Sequence, residues 1–294
     1  MAPFVAPDVL VLAGGGVVGE AWMTGLLAGV EDAAGVDLRR LEAFVGTSAG
    51  AIVAARLAAG ERLRRPAGRR TGSARAGTDE QQEGLLHTAA RWGWAATAPL
   101  APLATALAAP GGAFVRSALL ARAPDTGRTL EGLRARVDAS GVRFDGRLRV
   151  CCVDKRSGRR VVFGAPGAPP ASVGESVAAS CAVPWVFAPI RIGEREYVDG
   201  GVWSVTNLDA APAGRDTQVL CLDPTAALTS VLRRAFRVAV AVELQILRGR
   251  GARVEHVRPD DTAVDAMGSD FMSSATAAAA LAAGYRQGRR LGAG

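Results

Sequence analysis

Lysine is all but missing from this chain: Lys155 stands alone, and the rest of the positive charge is arginine. Aromatic residues supply only 5% of the 294 positions, so a core must be built mainly from Ala, Val and Leu. Histidine occurs twice, at His87 and His256, which leaves few imidazoles for a metal centre or a general base. The four cysteines, Cys151, Cys152, Cys181 and Cys221, stand in apolar contexts such as "LRVCCVD" and "QVLCLD". No CxxC pair or histidine cluster accompanies them, so no metal site is expected and they read as buried, reduced thiols. No uninterrupted apolar run reaches the length of a membrane span. The opening "MAPFVAPDVLVLAGGG" lacks a basic leader and runs straight into glycines, so a signal peptide is not expected.

What is present is the composition of a globular protein, 49% hydrophobic and 21% charged. A formal charge of +7 favours association with anionic surfaces. Arg, Ala and Gly codons are GC-rich, so the bias also fits a GC-rich genome. The densest basic run is "ERLRRPAGRR" at 61–70. No homeodomain, zinc-finger or RNA-binding signature accompanies it, so nucleic acid is not an expected partner. The expected location is the cytoplasm, with peripheral contact to an anionic membrane.

"DVLVLA" at 8–13 reads as a buried strand, and the pattern from Glu20 to Ala34 as a helix ended by Gly35. "LEAFVG" at 41–46 reads as a second strand, followed at once by the small-residue helix "SAGAIVAARLAAG". Strand, helix, strand, helix predicts an α/β fold with a mainly parallel sheet covered on both faces. Further strands are expected at 147–153, 160–164, 195–198, 217–222 and 252–257, and helices at 116–123, 129–139, 224–248 and 270–291. Residues 61–84 are rich in Arg, Gly, Ser and Gln, and 85–115 form an apolar stretch broken by Pro99, Pro102 and Pro110. The chain therefore reads as one domain with an insertion at 61–115. Arg62, Arg64, Arg65, Arg69 and Arg70, with Trp92 and Trp94, make that insertion a candidate membrane-facing cover.

"GTSAG" at 46–50 matches G-x-S-x-G between an expected strand and helix, a placement that holds a serine hydroxyl out at the carboxyl edge of a sheet. The helix N-terminus after Ser48 offers free N–H groups to an oxyanion. A serine nucleophile needs a base. His256 is one candidate, since Ser48, an acid and His256 follow the chain order of α/β-hydrolases. Only one strand precedes Ser48, where that fold has several. The other is Asp199 in "EYVDGGVWSVTN", at a strand end entering a Gly-Gly turn that leaves its carboxylate accessible, although Asp-Gly turns are common in hairpins. Gly14, Gly16 and Gly19 also satisfy G-x-G-x-x-G after a strand, a dinucleotide fingerprint, but the second strand lacks the acid that fingerprint requires.

Taken together, "GGGVVG" at 14–19, "GTSAG" at 46–50 and "DGG" at 199–201 resemble the patatin-like phospholipase family. The stretch 176–207 resembles the family's approach to its aspartate, and the likeness spans about 8–210 of the 294 residues. The resemblance implies a three-layer α/β fold and a serine acyl hydrolase of lipid esters that forms an acyl-enzyme without a cofactor. By the same resemblance Ser48 is the nucleophile and Asp199 its base. Gly14, Gly15 and Gly16 form the oxyanion hole, and Gly19, Gly46, Gly50, Gly200 and Gly201 support the motifs. Such a dyad depends on close geometry and a dry site more than on the basicity of a free aspartate. The chain departs from the family at Val18, where a basic residue is common. A catalytically silent lipid-binding protein is the remaining alternative.

Overall fold

A computed structural model describes residues 4–67, 112–124, 126–227 and 231–294. Its centre is β1 (Val9–Leu12), four residues buried on both sides. Leu10 and Leu12 face one apolar cluster, and Val9 and Val11 face another. A strand covered on both faces has no polar positions, which is why β1 reads as an unbroken apolar run. From β1 the sheet extends through β2 (Ala43–Gly46) and β3 (Leu148–Asp154) on one side, and through β7 (Gln218–Leu222) and β8 (Arg253–Val257) on the other. All four of these pairings are parallel. The hairpin of β5 (Ile190–Ile192) and β6 (Arg195–Asp199) joins β3 antiparallel, as does β4 (Arg160–Phe163). The result is the expected three-layer α/β architecture with a mainly parallel sheet.

The first face carries α1 (Gly16–Ala34), α2 (Ala49–Ala58), α5 (Val173–Ser180), α7 (Asp261–Met267) and α8 (Ala277–Gly292). The second carries α6 (Val231–Gly249), whose Leu247 packs with Val11, Val45 and Cys221. Two short helices, α3 (Gly112–Leu120) and α4 (Glu131–Ala139), lead into β3. Helix α1 is buried almost all round from Val17 to Val30, because α8 lies directly on it. Glycines make that approach possible. A Cβ on Gly25 would stand 2.1 Å from the Leu281 carbonyl oxygen, and one on Gly288 would stand 1.9 Å from that of Leu26. Gly35, at φ 68°, ends α1 in the left-handed conformation.

The expected strands and most helices are present within a few residues. The structure adds β5, α5 and α7. Helix α5 opens with a capping box in which Ser172 and Glu175 satisfy each other's backbone amides at 3.0 and 2.8 Å. The expected helix at 224–248 begins only at Val231, since Pro224–Ala227 is a 3₁₀ turn. The helix expected at 270–291 begins at Ala277. Cys151 and Cys152 point to opposite faces, as adjacent strand residues must. All four thiols are buried and unpaired, and burial pushes the Cys151 thiol up to about 12.

Of the arginine run, Arg65 is tied to α1 through Asp32 at 2.7 Å and Glu31 at 3.3 Å, while Arg62 and Arg64 are exposed. Arg69, Arg70, His87, Trp92 and Trp94 lie outside the described residues. Among the described residues no helix is long and apolar enough to cross a membrane.

Candidate active site

The register of β3 sets the site. Val150 pairs with Gly46 of β2 and with Phe163 of β4; Cys152 pairs with Asp199 of β6 and with Val161 of β4. A strand has two edges, so β4 fills one, and β2 and β6 share the other in succession. Strand β2 runs parallel to β3 and ends at Gly46, whereas β6 runs antiparallel and ends at Asp199. The two strands meet head to head, about 7 Å apart along β3. Ser48 leaves one end and Asp199 terminates the other. Gly200 fits into the gap because it has no side chain: a Cβ there would stand 2.2 Å from the Cys151 carbonyl oxygen.

Ser48 occupies the turn between β2 and α2 with φ 52° and ψ −122°, a conformation that L-residues adopt at a cost of roughly 1–3 kcal/mol. The turn is sharp because α2 packs directly on β1: a Cβ on Gly50 would stand 2.0 Å from the Leu12 carbonyl oxygen. Gly46 closes the same turn beneath Ala51. The Ser48 amide donates to Ser180 Oγ at 2.8 Å, and that hydroxyl donates onward to the Cys151 carbonyl at 2.7 Å. The serine is thereby anchored by its backbone. Its side chain, partly exposed, lowers the pKa of the Asp199 carboxylate by hydrogen bonding.

Asp199 is buried, not accessible as its Gly-Gly neighbours led one to expect. Its Oδ1 accepts the Gly201 amide at 2.6 Å. Desolvation raises its pKa from 3.8 to about 7, outweighing the opposing hydrogen bonds from Gly201 and Ser48. A serine–aspartate dyad depends on close geometry and a dry site. The same dryness also makes this carboxylate a far better base than a free aspartate.

The glycine loop lies against Ser48: a Cβ on Gly14 would stand 3.5 Å from Ser48 Cβ. The three glycines are not equivalent. Gly14 is buried and donates its amide to the Val205 carbonyl at 2.8 Å, so that N–H is already engaged. Gly15 and Gly16 are partly exposed, and among the described residues nothing accepts their amides or that of Ala49. Gly16 begins α1 at φ 59°, and Ala49 begins α2, so two helix N-termini converge on the position facing Ser48. Gly19 lies one turn into α1, against Pro224. Val18 is fully buried and its amide donates to the Phe271 carbonyl at 3.1 Å, so no side-chain cation stands at that position.

Two residues that sequence reasoning did not single out join the site. One is Ser180. The other is Asn207, buried at φ 48°, whose Nδ2 donates to Thr47 Oγ1 at 3.0 Å, to the Gly200 carbonyl at 3.3 Å and to the Ser204 carbonyl at 2.6 Å. It thus touches the neighbour of Ser48 and the neighbour of Asp199 at once. Both lie within the quoted stretch 176–207, but nothing in their local sequence marks them.

His256 is elsewhere. It sits on β8, three strands from β2 and so about 14 Å across the sheet, where its Nε2 meets Asp223 Oδ2 at 3.2 Å. The structure brings Asp199, not His256, to Ser48. Among the described residues no three His, Cys, Asp or Glu side chains gather as ligands for a metal ion.

A family model described as patatin-like phospholipase matches residues 10–212. No curated protein matches the chain. Among solved structures, VipD from Legionella pneumophila is similar at 14% identity and a TM-score of 0.44, over 98% of this chain and 67% of that one.

Proposed function

Because the chain belongs to the patatin-like phospholipase family, we propose that it is a serine acyl hydrolase of lipid esters working through a Ser48–Asp199 dyad. The observation that carries this reading is the head-to-head meeting of β2 and β6, which sets a strained serine beside a buried carboxylate of pKa about 7. Ser48 Oγ attacks the ester carbonyl carbon while Asp199 takes its proton. The carbonyl oxygen becomes an oxyanion facing the unengaged amides of Gly15, Gly16 and Ala49, each such donor being worth about 3 kcal/mol of transition-state stabilisation in favourable cases. Gly14 supports this loop through Val205 and does not donate to the oxyanion. The ester C–O bond breaks and Asp199 returns the proton to the departing alcohol or lysolipid. Asp199 then takes a proton from water as that water attacks the acyl-enzyme carbonyl carbon. The bond from Ser48 Oγ to the acyl carbon breaks, Asp199 returns the proton to Ser48 Oγ, and the fatty acid leaves. The residues supply every proton transfer themselves. An anionic membrane surface is the partner proposed for the basic chain, and residues 1–294 are proposed as one domain.

Labelling with a fluorophosphonate, together with turnover of a panel of acyl esters, tests the reading. Labelling and hydrolysis are expected in the wild type and in neither Ser48→Ala nor, for hydrolysis, Asp199→Asn. A folded wild type that is neither labelled nor active would return the protein to the lipid-binding alternative.

A further inference from the structure

The segment from Ser204 to Leu208 lies between the two halves of the site, and it is held from the opposite side of the sheet. Its Val205 carbonyl takes the Gly14 amide, and its Asn207 side chain reaches Thr47 and Gly200. The segment turns at Asn207, in the left-handed region at φ 48°, and within it Ser204 Oγ accepts the Thr206 and Asn207 amides at 3.4 and 3.3 Å. From outside it is held by Glu243 on α6. One carboxylate oxygen, Oε2, accepts the Thr206 hydroxyl at 2.5 Å and the Leu208 amide at 2.8 Å, one bond on each side of Asn207.

Glu243 is 6% exposed; Arg160, whose guanidinium is bonded to Asp209, feels its charge without forming a salt bridge to it. A buried carboxylate on a helix that otherwise packs with Leu, Val and Ala is costly for stability alone. Burial pushes its pKa up and the nearby Asp209 charge adds to the rise, while donors from Thr206, Ser204 and Leu208 oppose it. An apolar residue of similar size would fill the same space without the desolvation cost, but it would leave Thr206 and Leu208 unheld.

We propose that Glu243 is a positioning residue of the acyl-transfer site: by clamping Thr206 and Leu208 it sets Asn207 and Val205, and through them the register of Thr47, Gly200 and the glycine loop. The proposal rests on the acyl-hydrolase reading above. Glu243 touches no reacting atom. It acts on where the amides of Gly15 and Gly16 stand relative to Ser48, and displacements of about 1 Å at such groups cost on the order of 100-fold in rate.

The test compares Glu243→Leu, Glu243→Gln and Leu247→Ala, each normalised to its folded fraction by circular dichroism. Leu247 lies one turn along α6, fully buried, and serves as the purely structural control. For Glu243→Leu, kcat is expected to fall on the order of 100-fold with KM within about twofold of wild type. Glu243→Gln, which keeps an acceptor oxygen, should recover most of that loss. Leu247→Ala should lose stability and keep kcat. A Glu243→Leu protein that is destabilised like Leu247→Ala but turns over at the wild-type kcat overturns the proposal. Should Glu243→Leu fail to fold, Thr206→Val removes one bond of the clamp, and a wild-type kcat there overturns it equally. Failure of the underlying reading looks different: the wild type itself would then neither label nor turn over.

Discussion

The backbone amide of Ser48 rests on the hydroxyl of Ser180, 2.8 Å away, and the same hydroxyl donates to Cys151. One side chain on α5 therefore ties the nucleophile to the central strand. It does so with its oxygen accepting and its hydrogen donating at the same time. Ser180→Ala leaves both the Ser48 amide and the Cys151 carbonyl unsatisfied in a buried place, at a cost of roughly 1–3 kcal/mol. Urea unfolding of that variant should show a loss in this range. Because the Ser48 conformation is strained, kcat should fall as well, by more than Ser176→Ala, whose hydroxyl bonds only to the Ser172 carbonyl on the same helix.

The raised pKa of Asp199 has two readouts. As a base it must be ionised, so kcat/KM is expected to climb with pH through a limb centred near 7, not near 4. The effect on stability has a definite sign. Between about pH 4 and pH 7 the folded protein holds a proton on Asp199 that the unfolded chain has released. Stability is therefore full below about pH 4, declines as pH rises to about 7, and is flat above. The decline attributable to this one group is on the order of 4 kcal/mol. Asp199→Asn should remove the slope along with the activity, and be more stable than wild type at pH 8 but not at pH 4. Superimposable pH profiles of stability for the two proteins would refute the burial account.

The glycine loop offers a graded test. A Cβ at Gly14 meets only ordinary contacts, the nearest being Ser48 Cβ at 3.5 Å. At Gly15 it would stand 2.5 Å from Pro224 Cγ, the edge of a ring. At Gly16 it would stand 2.5 Å from the Phe271 carbonyl oxygen, on a residue already at φ 59°. Gly14→Ala should fold, with activity reduced by crowding at Ser48. Gly16→Ala should be the least stable of the three, because both its space and its backbone conformation exclude a side chain. A thermal series in which Gly14→Ala is the most damaging would contradict this ordering.

Much of this was legible in the sequence, and the rest was hidden for identifiable reasons. The run "DVLVLA" announced β1 because burial on both faces removes every polar residue. "GTSAG" announced its turn because glycine is needed wherever α2 touches β1. The likeness in three separated blocks then pointed to Ser48 and Asp199. Burial of Asp199 was not legible, since it follows from β6 abutting β2 along β3, a matter of register between residues 150 apart. The distinction among Gly14, Gly15 and Gly16 was hidden in the same way: it depends on Val205, which no local pattern links to the loop. Helix α5 shows in the sequence only through its S-x-x-E cap at 172–175, because the whole helix is eight residues long and built mostly from small ones. Ser180, Asn207 and Glu243 are ordinary polar residues until the fold brings Thr47, Gly200 and Thr206 to them.

The last prediction concerns how α1, which carries the glycine loop, is held in place. Gly25 and Gly29 on α1 lie against the backbone of Leu281 and Tyr285 on α8, and Gly284 and Gly288 on α8 lie against that of Trp22 and Leu26 on α1, so the helices touch backbone to backbone where side chains are absent. A methyl group at Gly288 would stand 1.9 Å from the Leu26 carbonyl oxygen, and helix backbone has no flexible end to move aside. Gly288→Ala must therefore push two helices apart over their length, and a loss of at least about 1–3 kcal/mol is expected from overpacking. The identical substitution at Gly132, near the start of α4, meets nothing within 4 Å. There alanine only reduces the freedom of the unfolded chain and raises helix propensity, so Gly132→Ala is expected to stabilise by about 0.5–1 kcal/mol. Chemical denaturation of both variants decides the matter. Opposite signs support a seam closed by backbone contact, and a neutral Gly288→Ala would mean that α8 can stand off from α1 without cost.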